Sequence, residues 1–247
     1  MFLISPLLVA LQFLTILPVR IKVLPDPKTI GHSLLYYPLV GLIIGLLLSA
    51  IGWIGSGVIS SLHAAIVLAT WVTLTGALHL DGLADSADAW LGGLGDRKRT
   101  LAIMKDPCCG PSAVVTLVVV LLIKFAALEQ LIRDENWVTM IMIPVVARTS
   151  LILLFLTTPY VRENGLGSLA SRNLPRRAGL ITILLSVALV VIIMGKSALW
   201  LVLTVAGVFY LLRRLMLRRI GGTTGDTAGA LVEITETAML VSVALTL

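Results

Sequence analysis

Charge is scarce in this chain, and so are the residues that usually staple or metallate a small soluble fold. Only 13% of the 247 residues are charged, 58% are hydrophobic, and the mean hydropathy is +1.03. One soluble core of that composition would leave large apolar patches in water, so a bundle of bilayer-spanning helices is expected instead. Cysteine is limited to the adjacent pair Cys108 and Cys109, which is no disulfide framework. With only three histidines, no second Cys/His pair completes a zinc site either. The N-terminus lacks the positive region and small-residue cleavage site of a secretory signal, so residues 2–17 are expected to stay in the mature protein. Net charge is +6, but the basic residues fall between apolar runs, where they report membrane orientation. A nucleic-acid partner is therefore not expected.

What is present is apolar sequence in long runs. Residues 34–62, 64–80, 111–131, 137–160, 178–194, 197–210 and the stretch from Asp226 to the C-terminus each read as a membrane span. The fold class is thus all-α: a polytopic bundle of about seven transmembrane helices forming a single membrane domain over residues 1–247. Residues 2–17 are short for a crossing. Ser5, Gln12 and Thr15 share one face there, as in an amphipathic helix lying at the interface. Gly41 and Gly45 make a small-xxx-small pair suited to close helix packing. Gly195 and Lys196 alone separate the fifth and sixth spans, which predicts a tight antiparallel pair. Trp53, Trp137, Tyr160 and Trp200, near span ends, read as belt or packing residues. Alternation across seven spans puts fifteen of the nineteen basic residues on one side, which assigns that side to the cytoplasm.

On that same side lies HLDGLADSADAW, residues 79–90. In a helix, Asp81, Asp85 and Asp88 project from one face at spacings of four and three. Like charges so close are costly unless a cation or proton sits among them, and a hard divalent ion, magnesium first, is the simplest candidate. His79 can be read as a base beside these carboxylates or as an interfacial hydrogen-bonding residue. The last span opens with GGTTGDTAGALVEITE, where Asp226, Glu233 and Glu236 form a second acidic face. Its Gly-rich turn, with Gly222 and Thr224, either offers free amides to an anion or is plain N-capping. Lys124 and Arg148 sit within spans: Lys124 reads as either structural or functional, and Arg148 as functional or as the partner of a carboxylate that holds helices together. Carboxylates, glycines and arginines together describe metal-assisted handling of a polyphosphate, with metal neutralising charge and arginines holding phosphate oxygens.

FLTILPV, YYPLVGLIIG, GALHLDGLADSADAWLGG, IMKDPCCG and GGTTGDTAGALVEITE together resemble the cobalamin synthase family, the adenosylcobinamide-GDP ribazoletransferases, nearly end to end. The resemblance implies transfer from adenosylcobinamide-GDP to alpha-ribazole or its 5'-phosphate, releasing GMP with Mg2+, as the last nucleotide-loop step of cobalamin biosynthesis at the bacterial cytoplasmic membrane. Asp81, Asp85 and Asp88 take the metal role. His79, Asp81, Asp85 and Lys105 form the expected catalytic set. Arg99, Asp106, Arg148, Gly222, Thr224, Asp226, Glu233 and Glu236 are expected to bind substrate. Where many relatives continue the Lys105–Asp106 pair with an SRIGTFG-like segment, this chain reads PCCGPSA. A CDP-alcohol phosphotransferase also uses a DG...A motif, but its distal GxxxDxxxD spacing is missing here. An ion-coupled transporter would place its carboxylates nearer the midplane. The partners expected are the two substrates and the lipid bilayer; a homo-oligomer is compatible with the sequence.

Overall fold

The computed structural model describes residues 4–21, 25–55, 59–163 and 165–246. Phe2, Lys22 and Gly57, on which parts of the sequence reading fell, lie outside them, as does the side chain of Ser5.

The described residues form twelve α-helices, and six helical stretches, the first running continuously over Pro27–Ile54, are long and apolar enough to cross a membrane, or seven if the bent pair Ser60–Leu74 and Leu78–Gly92 is one span. Helix α1 (Ile4–Leu14) is only 11 residues long, about 16 Å, which is too short for a crossing. It packs across the start of the first span, with Phe13 stacked on Tyr37 and Ala10 and Leu14 sealed. A short helix α2 (Pro27–Ser33) begins at Asp26, whose side chain accepts the Thr29 amide at 2.7 Å, with Pro27 at the first helical position. It leads through a 3-10 turn (Leu34–Tyr36) into α3 (Tyr37–Ile54).

Helix α4 (Ser60–Leu74) follows, and here the structure corrects the expected run of residues 64–80. The chain breaks at Gly76 and Ala77, both left-handed at φ 60 and 55, and α5 (Leu78–Gly92) leaves at 86° to α4. At that angle α5 does not continue the line of α4. The apolar composition continues through the break, so hydropathy gave no sign of it. A second short helix, α6 (Arg97–Ile103), is capped by Asp96, which accepts the Lys98 and Arg99 amides.

The remaining spans are α7 (Pro111–Arg133), α8 (Trp137–Thr157), α10 (Arg176–Met194), α11 (Ser197–Ile220) and α12 (Gly225–Ala244), with α9 (Leu166–Asn173) between α8 and α10. Helices α8 and α12 form the centre, whereas α10 and α11 present most of their surface outward, as lipid-facing helices do. Helices α3 and α8 pack closely: a Cβ on Gly41 would lie 2.4 Å from the Pro144 carbonyl oxygen, and one on Gly45 2.5 Å from that of Ile141. That is the small-xxx-small packing read from the sequence. Two expectations change. Helices α10 and α11 pack on α8 and α12 rather than tightly on each other. The sixth span runs on to Ile220, so Arg213, Arg214, Arg218 and Arg219 are helical residues and not a loop.

Candidate active site

Helix α5 is held against α12 by glycine. A Cβ on Gly82 would lie 2.6 Å from the Asp226 carbonyl oxygen, and one on Gly229 3.2 Å from the His79 Cα. Only backbone fits at these two points, so the two acidic elements of the sequence meet there. Asp81 is exposed and Asp85 half-buried, and neither carboxylate accepts a hydrogen bond among the described residues. Burial, then the neighbouring Asp81 and Asp226, push Asp85 up to about 6 against a smaller opposing pull from Arg162. Crowded, unpartnered carboxylates of this kind favour a cation.

The segment after α8 completes the arrangement. Tyr160 and Thr223 form an isolated parallel bridge, in which Val161 donates to the Thr223 carbonyl at 2.9 Å and Thr223 to that of Pro159 at 2.8 Å. This places Arg162 on Asp226, Nη2 to Oδ2 at 2.5 Å, with a second contact from Nη2 to the Met104 carbonyl at 3.2 Å. The sequence reading missed Arg162 and Tyr160 as site residues, counting the first only as loop charge and assigning the second to the membrane belt. No local signal pointed to either, because the bridge that positions them joins segments over 60 residues apart.

Several of the expected site residues make contacts within the protein. Asp88 is occupied as a remote cap on α7: its Oδ2 accepts the Gly110 amide at 2.6 Å and its Oδ1 the Ala113 amide at 2.9 Å. Glu233 and Glu236, expected to bind substrate, are buried in a network with the two cations inside spans. Lys124 Nζ lies 2.5 Å from Glu233 Oε2 and 2.7 Å from Glu236 Oε2, and Arg148 pairs with Glu236 Oε1. Lys124 also sits over the Trp71 ring, 4.9 Å from its centroid. Arg148 is therefore the partner of a carboxylate that ties helices together.

Gly222 lies against the Pro159 carbonyl, and Thr224 caps α12 in a reciprocal pair with Thr227, so the capping reading of that turn holds. Arg99, Lys105 and Asp106 are exposed, and Met104, immediately before Lys105, touches Thr224 and Arg162. The two Asp106 partners in the loop, the amide and thiol of Cys108, hold its carboxyl below the usual range. Arg213 is committed to the last turn of α8, donating to the Thr157 carbonyl at 2.6 Å.

His79 is buried at 3% exposure, and its Nδ1 has no hydrogen-bond partner. It lines a cavity of about 490 Å³ together with Asp81 and Asp226. The walls come from α1, α2, α3, α5, α8, α9 and α12 and are mostly apolar, with Phe13, Tyr37, Phe155 and Tyr160 all contributing. An acid without a hydrogen-bond partner, Asp81, and an arginine-paired one, Asp226, lining an apolar cavity suit a reaction on a phosphate ester that has one apolar partner.

The sequence of the chain agrees with that chemistry. The cobalamin-5-phosphate synthase family profile matches residues 6–244. An adenosylcobinamide-GDP ribazoletransferase from Pseudomonas fluorescens is 55% identical over 240 residues, covering 97% of this chain and 99% of the relative. Proteins of the same name from Pseudomonas entomophila and Stutzerimonas stutzeri are each 55% identical, with 97% of this chain and 98% of the relative covered. No solved structure matches. With the profile spanning nearly the whole chain and relatives above half identity end to end, this multi-pass membrane protein belongs to the cobalamin-5-phosphate synthase family.

Proposed function

We propose that the chain performs the reaction for which its relatives are named, transferring the cobinamide-phosphate moiety of adenosylcobinamide-GDP to alpha-ribazole or alpha-ribazole 5'-phosphate. A ribazole hydroxyl attacks the phosphorus attached to cobinamide, the bond from that phosphorus to the GMP oxygen breaks, and the hydroxyl proton is lost. The observation that carries this reading is the meeting of Asp81, Asp85, Asp226 and Arg162 beside an apolar cavity that Asp81 and Asp226 line.

Magnesium fits this donor set. Among the described residues no three His, Cys, Asp or Glu side chains converge as a complete metal cluster. Mg2+ rarely uses one, because it keeps waters and shares its sphere between one or two carboxylates and substrate phosphates. Asp81 and Asp85 would hold it, with Asp226 beside them; Asp88 drops out of the set because its oxygens are engaged. Bound there, the ion would neutralise charge on the diphosphate during transfer. Arg162, fixed by Asp226 and the Met104 carbonyl, is positioned to receive phosphate oxygens.

The membrane is the bacterial cytoplasmic one in this reading, with the basic end and the site facing the cytoplasm, as the distribution of arginine and lysine supports. Purified protein in lipid nanodiscs, given Mg2+ and both substrates, should release GMP and form the joined corrinoid. Folded protein that releases none would refute the proposal. The exposed pair Cys108 and Cys109 tests the orientation. An impermeant maleimide should label them in inverted vesicles and not in intact cells with the outer membrane permeabilised.

A further inference from the structure

The proposed reaction has two very different substrates, and the apolar cavity lined by Asp81 and Asp226 suits them unequally. We infer that it is the seat of the ribazole base, while the corrinoid remains outside on the face bearing Asp81 and Asp85. This inference rests on the reaction proposed above.

Size is the first argument. At about 490 Å³ the cavity lies in the lower part of the roughly 300–1,000 Å³ range of small-molecule pockets. A compact benzimidazole nucleoside fits such a space, whereas a corrin macrocycle carrying an adenosyl group and a nucleotide does not. Surface chemistry is the second. Two aromatic pairs line the cavity: Phe13 stacks on Tyr37 with centroids 6.4 Å apart at 19°, and Phe155 meets Tyr160 at 6.1 Å and 46°. A flat, uncharged bicyclic ring gains from such walls through apolar burial and offset stacking. A diphosphate or a corrin amide rim would lose its hydration there.

The third argument is the position of the acids. Asp81 and Asp226 line the same cavity, so a base seated among the aromatic rings leaves its sugar beside them, where the attacking hydroxyl must emerge. Wall residues Gln12 and Phe13 give the surface helix α1 a role in acceptor binding that its sequence alone did not suggest.

The test is steady-state GMP release by the full chain in nanodiscs with Mg2+, varying each substrate in turn. Ala170 lines the cavity from α9 at 5% exposure, so Ala170→Phe fills it. Its KM for ribazole should rise about tenfold or more while its KM for adenosylcobinamide-GDP is unchanged, the size expected when a fitted apolar pocket loses its complementarity. Phe13 is 41% exposed, and Phe13→Ala, which does not threaten the fold, should weaken ribazole in the same selective way. Isothermal titration of ribazole alone, without corrinoid, should show binding to the parent protein and loss of it in Ala170→Phe.

A rise confined to the adenosylcobinamide-GDP KM, or ribazole binding unchanged in both variants, would overturn the assignment. So would a phospholipid that native mass spectrometry finds retained and that ribazole does not displace. Absence of GMP release by the parent protein, with ribazole still bound and still lost in Ala170→Phe, would refute the reaction and leave the binding site standing.

Discussion

Replacing Glu236 by Gln should unfold this protein at a much lower temperature, and the size of the effect follows from what surrounds the carboxylate. Its side chain is fully enclosed, and so, within a few per cent, are those of Arg148, Lys124 and Glu233. Two cations face two anions, so the network is neutral as it stands. Removing one carboxylate leaves a net positive charge in a low-dielectric interior, and breaking a buried pair in this way costs about 3–5 kcal/mol. At the roughly 2–4 °C per kcal/mol typical of a chain this long, the melting temperature should fall by about 6–20 °C. Intrinsic tryptophan fluorescence during a thermal ramp in nanodiscs reads this directly, since Trp71 lies under Lys124. Removing both members of one pair, Arg148→Met with Glu236→Met, restores neutrality and should recover most of the loss. A Glu236→Gln protein that melts with the parent but shows a raised KM for adenosylcobinamide-GDP would refute the reasoning, because Glu236 would then be a substrate ligand.

The three aspartates of α5 should separate in their effects. Asp81→Asn should abolish GMP release with the melting temperature unchanged, whereas Asp88→Ala should cost about 1 kcal/mol as a lost helix cap and keep most activity. Gly82→Val should reduce activity severely, because its side chain meets the Asp226 backbone and must push α5 off α12; activity recovered without any structural adjustment would count against that contact. For Asp85, the folded value of about 6 lies above its ordinary 3.8. Its contribution to stability is therefore present at low pH and lost as pH rises from about 4 through 6, then flat. Melting curves in EDTA should show that decline, Asp85→Asn should remove it, and Mg2+ above pH 6 should offset it.

The acidic residues show how far sequence reasoning reached. Spacing sufficed to put Asp81 and Asp85 on one helix face, and it equally put Asp88 there. Periodicity cannot report that the N-terminus of α7 lies alongside and uses Asp88 as a cap. Glu233 and Glu236 share a face of α12 with Asp226, but depth separates them: Asp226 lies in the first turn and lines the cavity, while the two glutamates lie two and three turns further along, opposite Lys124 and Arg148.

The amino-acid sequence by itself determined the membrane bundle, because apolar runs of this length call for a bilayer. It also supplied the glycines that allow α5 and α12 to touch. Tertiary structure alone decided the 86° turn at Gly76 and Ala77, the pairing of Arg162 with Asp226, and the aromatic cavity behind them. These depend on which distant backbones approach within a few ångströms, and that distance is not encoded in any local period.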